Sequence, residues 1–226
     1  MIVAIDGPAG AGKSTVARRL AERLGFRYLD TGAMYRALTW LAMREGVALD
    51  RGEELERLAR ENPVVFDERG RVSIAGADVT ASIRGARIDR LVPVVARHPA
   101  VRVVMRERQR ELAELGDAVV EGRDIGTVVA PDAEIKVYLV AERDIRAKRR
   151  MAERPGIGAD ALATDLRLRD ESDAARMQPA DDALVIDTTE LAVDDVVERI
   201  VTLVRDREPT ALDRSFQTGT RPSRAP

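Results

Sequence analysis

The segment that most constrains this chain is a glycine-rich turn near its start. Residues 7–14 (GPAGAGKS) match the pattern G-x-x-x-x-G-K-[ST] in full. The apolar run Met1–Ile5 precedes them, and apolar residues recur at helical spacing from Lys13 to Leu24. This order predicts a buried strand, a phosphate-binding turn and a helix, because glycines let successive backbone N–H groups turn inward at the positive end of a helix.

The residue types in this turn predict a site for a nucleoside triphosphate. Lys13 would bridge the outer phosphates, and it is one of three lysines in a chain with 37 basic residues. Ser14 would coordinate Mg²⁺ through its hydroxyl. The residues expected to bind the triphosphate are Gly7, Pro8, Ala9, Gly10, Ala11, Gly12, Lys13, Ser14 and Thr15.

Composition and charge exclude several other kinds of site. The chain has no cysteine and one histidine, His98, which excludes disulfides, thiol nucleophiles and multi-histidine metal sites. Its formal net charge is −2, so no overall basic field favours nucleic acid or an anionic membrane. No apolar run approaches the ~20 residues that cross a bilayer, and the N-terminus lacks the pattern of a secretion signal. We expect a cytoplasmic monomer that binds neither nucleic acid nor membrane.

Apolar strands that alternate with helices predict an α/β fold with a mostly parallel sheet. The predicted strands cover residues 1–5, 26–29, 118–121, 135–140 and 183–187. The predicted helices cover residues 13–24, 33–44, 53–61, 84–97, 100–115 and 193–206, and a charged, largely helical segment covers 142–176 with a break at Pro155–Gly158. Gly25 is the expected C-cap of the first helix, and Asp30-Thr31-Gly32 is the expected turn and cap before the second. Residues 64–84 predict a small β-hairpin or three-stranded insert. Residues 208–226, rich in Pro, Thr, Ser and Arg, predict a disordered tail.

The remaining residues distinguish between classes of phosphate-binding protein. A GTPase would carry an Asn-Lys-x-Asp segment, whereas the single asparagine, Asn62, is followed by Pro63. Arg36 and Arg123 follow predicted strands, at the sheet edge where open α/β sheets bind ligands. Further arginines in the charged segment are Arg146, Arg149, Arg150, Arg169 and Arg176. This distribution suits phosphoryl transfer between two bound nucleotides.

Six blocks of sequence, in order between about residues 2 and 206, resemble bacterial cytidylate kinases. The blocks are residues 7–14, 29–36 (LDTGAMYR), 121–129 (EGRDIGTVV), 131–133 (PDA), 169–176 (RDESDAAR) and 183–189 (ALVIDTT). The resemblance implies a P-loop NMP-kinase fold with a parallel five-stranded sheet flanked by helices. It also implies a single domain over residues 1–207, with an inserted NMP-binding subdomain at about 31–97 and a short lid at about 143–165.

The resemblance further implies an activity and residue roles. The family transfers the γ-phosphate of ATP to CMP or dCMP with Mg²⁺, so residues 7–15 would bind ATP. The acceptor's phosphate would be held by Thr31, Arg36, Arg123 and Arg176, its cytosine by Arg102 and Asp124, and its ribose by Arg169 and Asp173. The catalytic residues would be Lys13 and the lid arginines Arg146 and Arg149, which neutralise charge on the transferring group.

These roles agree with elementary chemistry. A carboxylate at Asp124 can accept from the N4 amine of cytosine, whereas O4 of uracil would face it as a second acceptor. A nucleoside monophosphate oxygen is already anionic at neutral pH, so no general base is required and His98 has no catalytic role. The chain departs from the family at Pro93, where a serine that helps to bind the base is common.

Three other interpretations stay open from sequence alone. The same architecture would serve another acceptor, such as UMP, dTMP or shikimate, if Asp124 and Arg102 did not face the acceptor pocket. A protein that binds ATP without turnover would show no acceptor-stimulated ADP release. Nucleic-acid binding by the arginines of residues 102–110, which also have the spacing of a solvated helix face, is disfavoured because aromatic residues make up only 3% of the chain.

Overall fold

Five parallel strands form the frame of the computed structural model, in which residues 1–67, 70–153, 158–174 and 177–207 are described. In chain order the elements are β1 (Ile2–Asp6), α1 (Lys13–Leu24), β2 (Arg27–Asp30), α2 (Thr31–Arg44), α3 (Gly52–Glu61), β3 (Val65–Phe66), β4 (Val72–Ile74), β5 (Ala77–Asp78), α4 (Ala86–Ala96), α5 (Pro99–Ala113), β6 (Ala118–Glu121), β7 (Ile135–Val140), α6 (Arg143–Glu153), α7 (Ala159–Asp173), β8 (Leu184–Asp187) and α8 (Val193–Arg207). The central sheet has the order β2-β6-β1-β7-β8, which confirms the predicted α/β fold.

Helices cover both faces of this sheet, and each face has its own hydrophobic core. Alternate residues of β1 point to opposite faces, as the pleat of a strand requires. Val3 and Ile5 belong to the same core as Leu20 of α1, to which α8 also contributes. Ala4 belongs to the other core, with Leu38 of α2. The central strand is therefore buried on both sides, which explains why it is an unbroken apolar run in the sequence.

Two helix ends next to the sheet follow from single residues. Gly25 has φ 71° and ends α1, as the sequence predicts for a C-cap. The second helix begins at Thr31 rather than at the predicted Ala33, because the Asp30 carboxylate accepts a hydrogen bond from the backbone N–H of Ala33 at 2.8 Å. Asp30 is both this N-cap and the last residue of β2, so Thr31 begins α2 directly at the end of the strand.

The predicted insert at 64–84 is a three-stranded antiparallel sheet. Its strands follow in the order β3-β4-β5, and a short 3₁₀ turn at Ser82–Arg84 comes after them. Val72 and Ile74 of β4 are buried in the core that contains α2. A second short element, a π-helical turn at Ile125–Val129, was not predicted from the sequence.

Some sequence predictions concern residues outside the described ranges or the limits of the predicted insert and lid. Of the predicted break at Pro155–Gly158, only Gly158 is described, and the tail at 208–226 lies outside the described residues. The limits of the acceptor insert (31–97) and of the lid (143–165) stay predictions. Among the described residues, no helix is long and apolar enough to span a membrane.

Candidate active site

The carboxyl ends of three neighbouring strands bring three acidic side chains to one edge of the sheet. Asp6 ends β1, Asp30 ends β2 and Glu121 ends β6, and all three are buried. The chain leaves β1 towards β2, and it leaves β6 towards β7 on the opposite side of β1. This edge is therefore a topological switch point, where open α/β sheets bind ligands.

The P-loop, residues 7–14, lies at this edge between β1 and α1. Gly7 and Gly10 have φ of 139° and 79°, a region that other residues rarely adopt. A Cβ at Gly7 would lie 2.1 Å from the carbonyl oxygen of Leu139 on β7, so this position has no room for a side chain. Nζ of the buried Lys13 donates to the carbonyl oxygen of Pro8 at 2.8 Å, which holds the lysine over the turn.

The Glu121 carboxylate joins the P-loop to the neighbouring strand. One oxygen accepts from the hydroxyl of Ser14 at 2.9 Å, and the other accepts from the hydroxyl of Tyr28 on β2. The Thr31 hydroxyl donates to the backbone carbonyl oxygen of Glu121 at 2.6 Å. Burial, followed by the charge of Asp30, raises the pKa of the Glu121 carboxyl. The P-loop serine is thus positioned by a buried acid on the next strand.

Asp30 positions two arginines as well as capping α2. Its Oδ1 lies 3.4 Å from Nη1 of Arg36, and its Oδ2 lies 2.9 Å from Nη2 of Arg84. Burial alone would raise the pKa of Asp30, but the two guanidinium groups outweigh it and the pKa lies below its ordinary value. Asp30 is therefore a stable anion that holds both cations near the sheet edge.

Asp6 fixes the turn that follows β6. Its two carboxylate oxygens accept from the backbone N–H groups of Ile125 and Gly126 at 2.9 and 2.8 Å. Burial raises the pKa of Asp6, and these two hydrogen bonds oppose that effect. The residue just before this pair of amides is Asp124, so the clamp from β1 determines where Asp124 lies.

Asp124 and Arg102, the residues predicted to recognise the base, form an ion pair. Nη2 of Arg102 on α5 lies 2.6 Å from Oδ2 of Asp124, and Nη2 of Arg106 lies 3.4 Å from the same oxygen. Both Arg102 and Asp124 are 13% exposed, which rules out the solvated-face interpretation for Arg102. Pro93, the departure from the family pattern, lines the same cleft from within α4.

Arg123 connects the P-loop to α7. Its Nε donates to Oδ2 of Asp173 at 2.8 Å, and its Nη1 donates to the carbonyl oxygen of Gly7 at 2.6 Å. Arg123 and the predicted ribose ligand Asp173 are therefore neighbours. Arg176 and the side chain of Arg169 lie outside the described residues.

Of the two predicted catalytic arginines of α6, Arg146 contacts the P-loop directly, and Arg149 contacts Thr188, whose hydroxyl donates to the carbonyl oxygen of Ala11 in the P-loop. Arg146 is buried, donates to the carbonyl oxygen of Ala9 at 3.1 Å and forms a two-point ion pair with Asp170. Arg149 donates to the hydroxyl and the carbonyl oxygen of Thr188 at 3.0 and 2.6 Å. Among the described residues of α6, the one that lines the central cleft is Arg150. Catalytic roles for Arg146 and Arg149 stay predictions.

A single cleft of about 990 Å³ unites most of the predicted site. The predicted residues that line it are Ala9, Gly10, Lys13, Ser14, Thr31, Arg36, Arg102, Arg123, Asp124 and Asp173. The P-loop and the Arg102–Asp124 pair thus belong to one continuous space.

Sequence reasoning missed several residues that shape the cleft. Those that line it or hold its lining are Asp6, Tyr28, Arg84, Asp89, Gln109 and Glu121, and Asp30 was recognised only as a cap. A signal existed for Asp6 and Glu121, since an acidic residue that ends an apolar strand must lie at the ligand-binding edge of a parallel sheet. Nothing local marks Arg84, Asp89 or Gln109, because their helices and turns approach the cleft only through tertiary packing.

The donor set beside the P-loop fits magnesium. Mg²⁺ prefers hard oxygen ligands and is usually held by one or two protein oxygens together with phosphates and water. The Ser14 hydroxyl supplies one such oxygen, and the Glu121 carboxylate, whose Oε2 lies 2.9 Å from it, supplies others. In the described part of the chain no group of three or more His, Cys, Asp or Glu side chains forms a metal cluster. A magnesium ion at this place would therefore be held mainly by the phosphates of a bound nucleotide, with the Ser14 hydroxyl as a protein ligand.

The fold and the P-loop define the class of P-loop α/β proteins with a five-stranded parallel sheet. The structure resembles the shikimate kinase from Bacteroides thetaiotaomicron, with a TM-score of 0.50 and 18% identity over 91% of this chain and 98% of that one. It also resembles a gluconokinase from Sinorhizobium meliloti 1021, with a TM-score of 0.50 and 15% identity over 96% of this chain and 97% of that one. At such identities the likeness concerns the fold alone.

Sequence comparison identifies the family within that class. The family model described as Cytidylate kinase matches residues 3–206. A cytidylate kinase from Desulfitobacterium hafniense is 42% identical over 94% of this chain and 96% of that protein. One from Shouchella clausii is 47% identical over 90% and 96%, and one from Rhodococcus opacus is 46% identical over 92% and 96%. The chain belongs to the cytidylate kinase family, which confirms the predicted class of enzyme, a kinase.

Proposed function

We propose that this enzyme transfers the γ-phosphate of ATP to CMP or dCMP, giving ADP and CDP or dCDP, with Mg²⁺. The observation that carries the proposal is the shared cleft, which joins the P-loop to the buried Arg102–Asp124 pair. The alternative of another acceptor required these two residues to lie away from the acceptor pocket. Both line the cleft, which supports a cytosine nucleotide.

The P-loop end of the cleft suits the triphosphate donor. Backbone N–H groups of residues 7–14 and the N-terminus of α1 favour phosphate oxygens. Lys13 neutralises charge on the outer phosphates, and the Ser14 hydroxyl, oriented by Glu121, helps to hold Mg²⁺. When bound, Mg²⁺ withdraws charge from the phosphate oxygens between which the bond breaks.

The opposite end suits a monophosphate acceptor. Arg36 and Arg123 approach the cleft from α2 and from the turn after β6, and Thr31 lines the same cleft at the start of α2. Two guanidinium groups and a hydroxyl are suitable donors for a phosphate dianion. Asp173 accepts a hydrogen bond from Arg123 at 2.8 Å, so it lies close to the proposed phosphate site, where it can also accept a hydrogen bond from a ribose hydroxyl. Arg169 and Arg176 complete the acceptor set in this proposal.

The base is selected by the arrangement of donors and acceptors. Arg102 and Arg106 fix the position of the Asp124 side chain, whose oxygens offer an acceptor to the N4 amine of cytosine. Uracil presents an acceptor at that position, which would leave two acceptors facing each other in a buried site. Pro93 offers no side-chain hydrogen bond, so discrimination falls mainly on Asp124 and Arg102.

The chemistry proceeds by positioning and charge neutralisation, without a general base. The attacking phosphate oxygen is already anionic, so no proton has to be removed before the new bond forms. The one histidine, His98, is bound at its Nε2 to the carbonyl oxygen of Leu49 at 2.8 Å, at the start of α5 and apart from the cleft lining. Closure of α6 and α7 over the cleft would exclude water as a competing acceptor.

We also propose that the enzyme works as a cytoplasmic monomer that binds neither nucleic acid nor membrane. The support is the net charge of −2, which gives no overall basic field for nucleic acid or an anionic membrane.

A coupled assay of ADP release tests the proposal. The acceptors to compare are CMP, dCMP, UMP, AMP, GMP and dTMP, at saturating ATP and Mg²⁺. We expect CMP and dCMP to exceed every other acceptor in kcat/KM by about 10–100-fold or more. A preference for UMP or dTMP would favour a related kinase, and tight ATP binding with no acceptor-stimulated ADP release would favour a protein without turnover.

A further inference from the structure

Asp89 on α4 lies between two arginines that come from different parts of the molecule. Its Oδ1 is 3.3 Å from Nε of Arg36 on α2, and its Oδ2 is 3.4 Å from Nη2 of Arg150 on α6. The Asp89, Arg36 and Arg150 side chains are 9%, 17% and 19% exposed, so this arrangement is largely shielded from solvent. One carboxylate therefore links a helix of the predicted acceptor insert to a helix of the predicted lid.

These three side chains line a cavity beside the P-loop, where phosphoryl transfer would take place. The cavity of about 950 Å³ also contains Lys13 and Ser14 in its lining. Its charged lining residues, among those described, are Lys13, Arg18, Arg36, Arg84 and Arg150 on the cationic side and Asp89 and Glu153 on the acidic side. Asp89 thus contacts the guanidinium groups that a phosphate dianion in this cavity would contact.

An acceptor phosphate and the Asp89 carboxylate would compete for Arg36. Both are anions that form charge-assisted hydrogen bonds with a guanidinium group, and the doubly charged phosphate is the stronger partner. The two anions also repel each other at short range in a shielded site. Occupation of the acceptor site therefore weakens the contact between Asp89 and Arg36. Because Arg150 shares the same carboxylate, its contact with Asp89 changes at the same time.

We propose, building on the function above, that Asp89 is a positioning residue that holds Arg150 away from the ATP phosphates until an acceptor phosphate occupies Arg36. In the absence of acceptor, water is the competing nucleophile: its oxygen bonds to the γ-phosphorus, the bond to ADP breaks, and ADP, inorganic phosphate and a proton are released. A restrained Arg150 cannot neutralise the charge that this reaction develops. With acceptor bound, Arg150 loses its contact with Asp89, keeps its ion pair with Glu153 at 2.7 Å on its own helix, and stabilises transfer to the acceptor's phosphate oxygen.

The variant Asp89→Asn tests this role, with ADP release measured in the absence and in the presence of CMP. We expect the ratio of hydrolysis to transfer to rise about tenfold, which corresponds to about 1.4 kcal/mol. The KM for CMP should fall several-fold because Arg36 no longer has to leave the Asp89 carboxylate and keeps only its contact with Asp30, whereas the KM for ATP should stay unchanged. A merely structural role would lower both rates in parallel and leave their ratio unchanged, which would overturn the proposal.

Three further variants identify the cause of any change. Asp89→Glu keeps the charge and should return the ratio to within about twofold of the parent value. Asp182→Asn removes a carboxylate that pairs with Lys136 at 2.9 Å on the exposed surface, and as the matched control it should leave the ratio unaltered. Adding Arg150→Ala to Asp89→Asn should abolish the excess hydrolysis, and persistence of that excess would contradict a role for Arg150.

The design also separates this inference from the proposed function. If the parent enzyme shows no CMP-dependent ADP release, the proposed function is wrong. If the parent transfers to CMP and Asp89→Asn leaves the ratio unchanged, only the role of Asp89 is wrong. Should Asp89→Asn fail to fold, Arg150→Ala alone decides: we expect its kcat for transfer to fall about 100-fold, and an unchanged kcat would overturn the proposal.

Discussion

The two ends of the cleft are built in different ways. The P-loop end is one contiguous turn whose glycine backbone is confined by its neighbours, as the 2.1 Å between a Cβ at Gly7 and the Leu139 carbonyl oxygen shows. The acceptor end is made of side chains from separate elements, and its central pair, Arg102 and Asp124, is 22 residues apart in the chain. In the proposed function, donor binding would therefore depend on the fold itself, whereas acceptor selection would depend on side chains that can be replaced one at a time.

Lys13→Ala should have the largest effect on catalysis, since it removes the cation that neutralises the transferring group. We expect kcat to fall about 100- to 1,000-fold with little change in stability, measured by coupled ADP release and thermal unfolding. Lys148→Ala, on the exposed side of α6, is the matched control and should behave like the parent. Near-normal turnover of Lys13→Ala would refute the assignment of the P-loop as the donor site.

Gly7→Ala tests whether the donor end is fixed by backbone geometry. The methyl group would meet Leu139 and would also force an L residue to φ 139°, so we expect the free energy of unfolding to fall by about 2–4 kcal/mol. Gly46→Ala is a suitable comparison, because Gly46 has φ 69° with no atom near the added methyl, and it should lose about 1 kcal/mol. Equal losses in urea titrations of the two variants would contradict the close approach at Gly7.

Asp124→Asn tests whether the acceptor end can be altered independently of the fold. The amide would present a donor as well as an acceptor to the base, so we expect kcat/KM for CMP to fall about 10–100-fold while that for UMP falls less or rises. The KM for ATP should not change, because Asp124 lies at the other end of the cleft. Unchanged selectivity between CMP and UMP would remove Asp124 from base recognition.

Glu121→Gln should have the smallest effect, and its sign depends on pH. The raised pKa means that the folded state binds the Glu121 proton more tightly than the unfolded state, whose ordinary value is 4.5. The stability of the parent should therefore fall as pH rises from 4.5 through the raised pKa, by about 1.4 kcal/mol for each tenfold difference in proton affinity between the two states. The variant should lack this loss, so its stability relative to the parent should increase with pH.

Denaturant titrations of Glu121→Gln from pH 4.5 to pH 8 check this dependence. Glu198→Gln, which removes a carboxylate from an exposed pair with Arg23, is the control and should show no comparable trend. A stability difference between Glu121→Gln and the parent that does not vary with pH would show that Glu121 titrates alike in the folded and unfolded states.

The same contrast explains how much the sequence could predict. The P-loop, the five strands of the sheet and the cap at Gly25 depend on local spacing, and all of them are present at or near the predicted residues. The prediction that Arg102 and Asp124 share one site instead required the family resemblance, since helical spacing alone is equally typical of a solvated face, and their ion pair was not predicted. The contacts of Asp89 with Arg36 and Arg150 have no local signal, because they exist only when α2, α4 and α6 meet.

The limits of single-sequence reasoning are also visible on α6. Arg146, Arg149 and Arg150 lie within five residues, and charge alone does not distinguish them. Their environments in the fold do: Arg146 is buried against Asp170, Arg149 is bound to Thr188, and Arg150 lines the cleft. Helical rotation separates three similar side chains into three positions, and only the packing of α6 against the P-loop decides which position faces the ligand.

The clamp formed by Asp6 has a geometric consequence for the reaction. Asp6 is the last residue before the P-loop, and the amides that it binds come directly after Asp124. In the proposed function, both nucleotide sites would thus be connected to a single strand, β1, in the middle of the sheet. When the surrounding helices move during a catalytic cycle, the distance between the two proposed nucleotide sites would therefore stay set by β1.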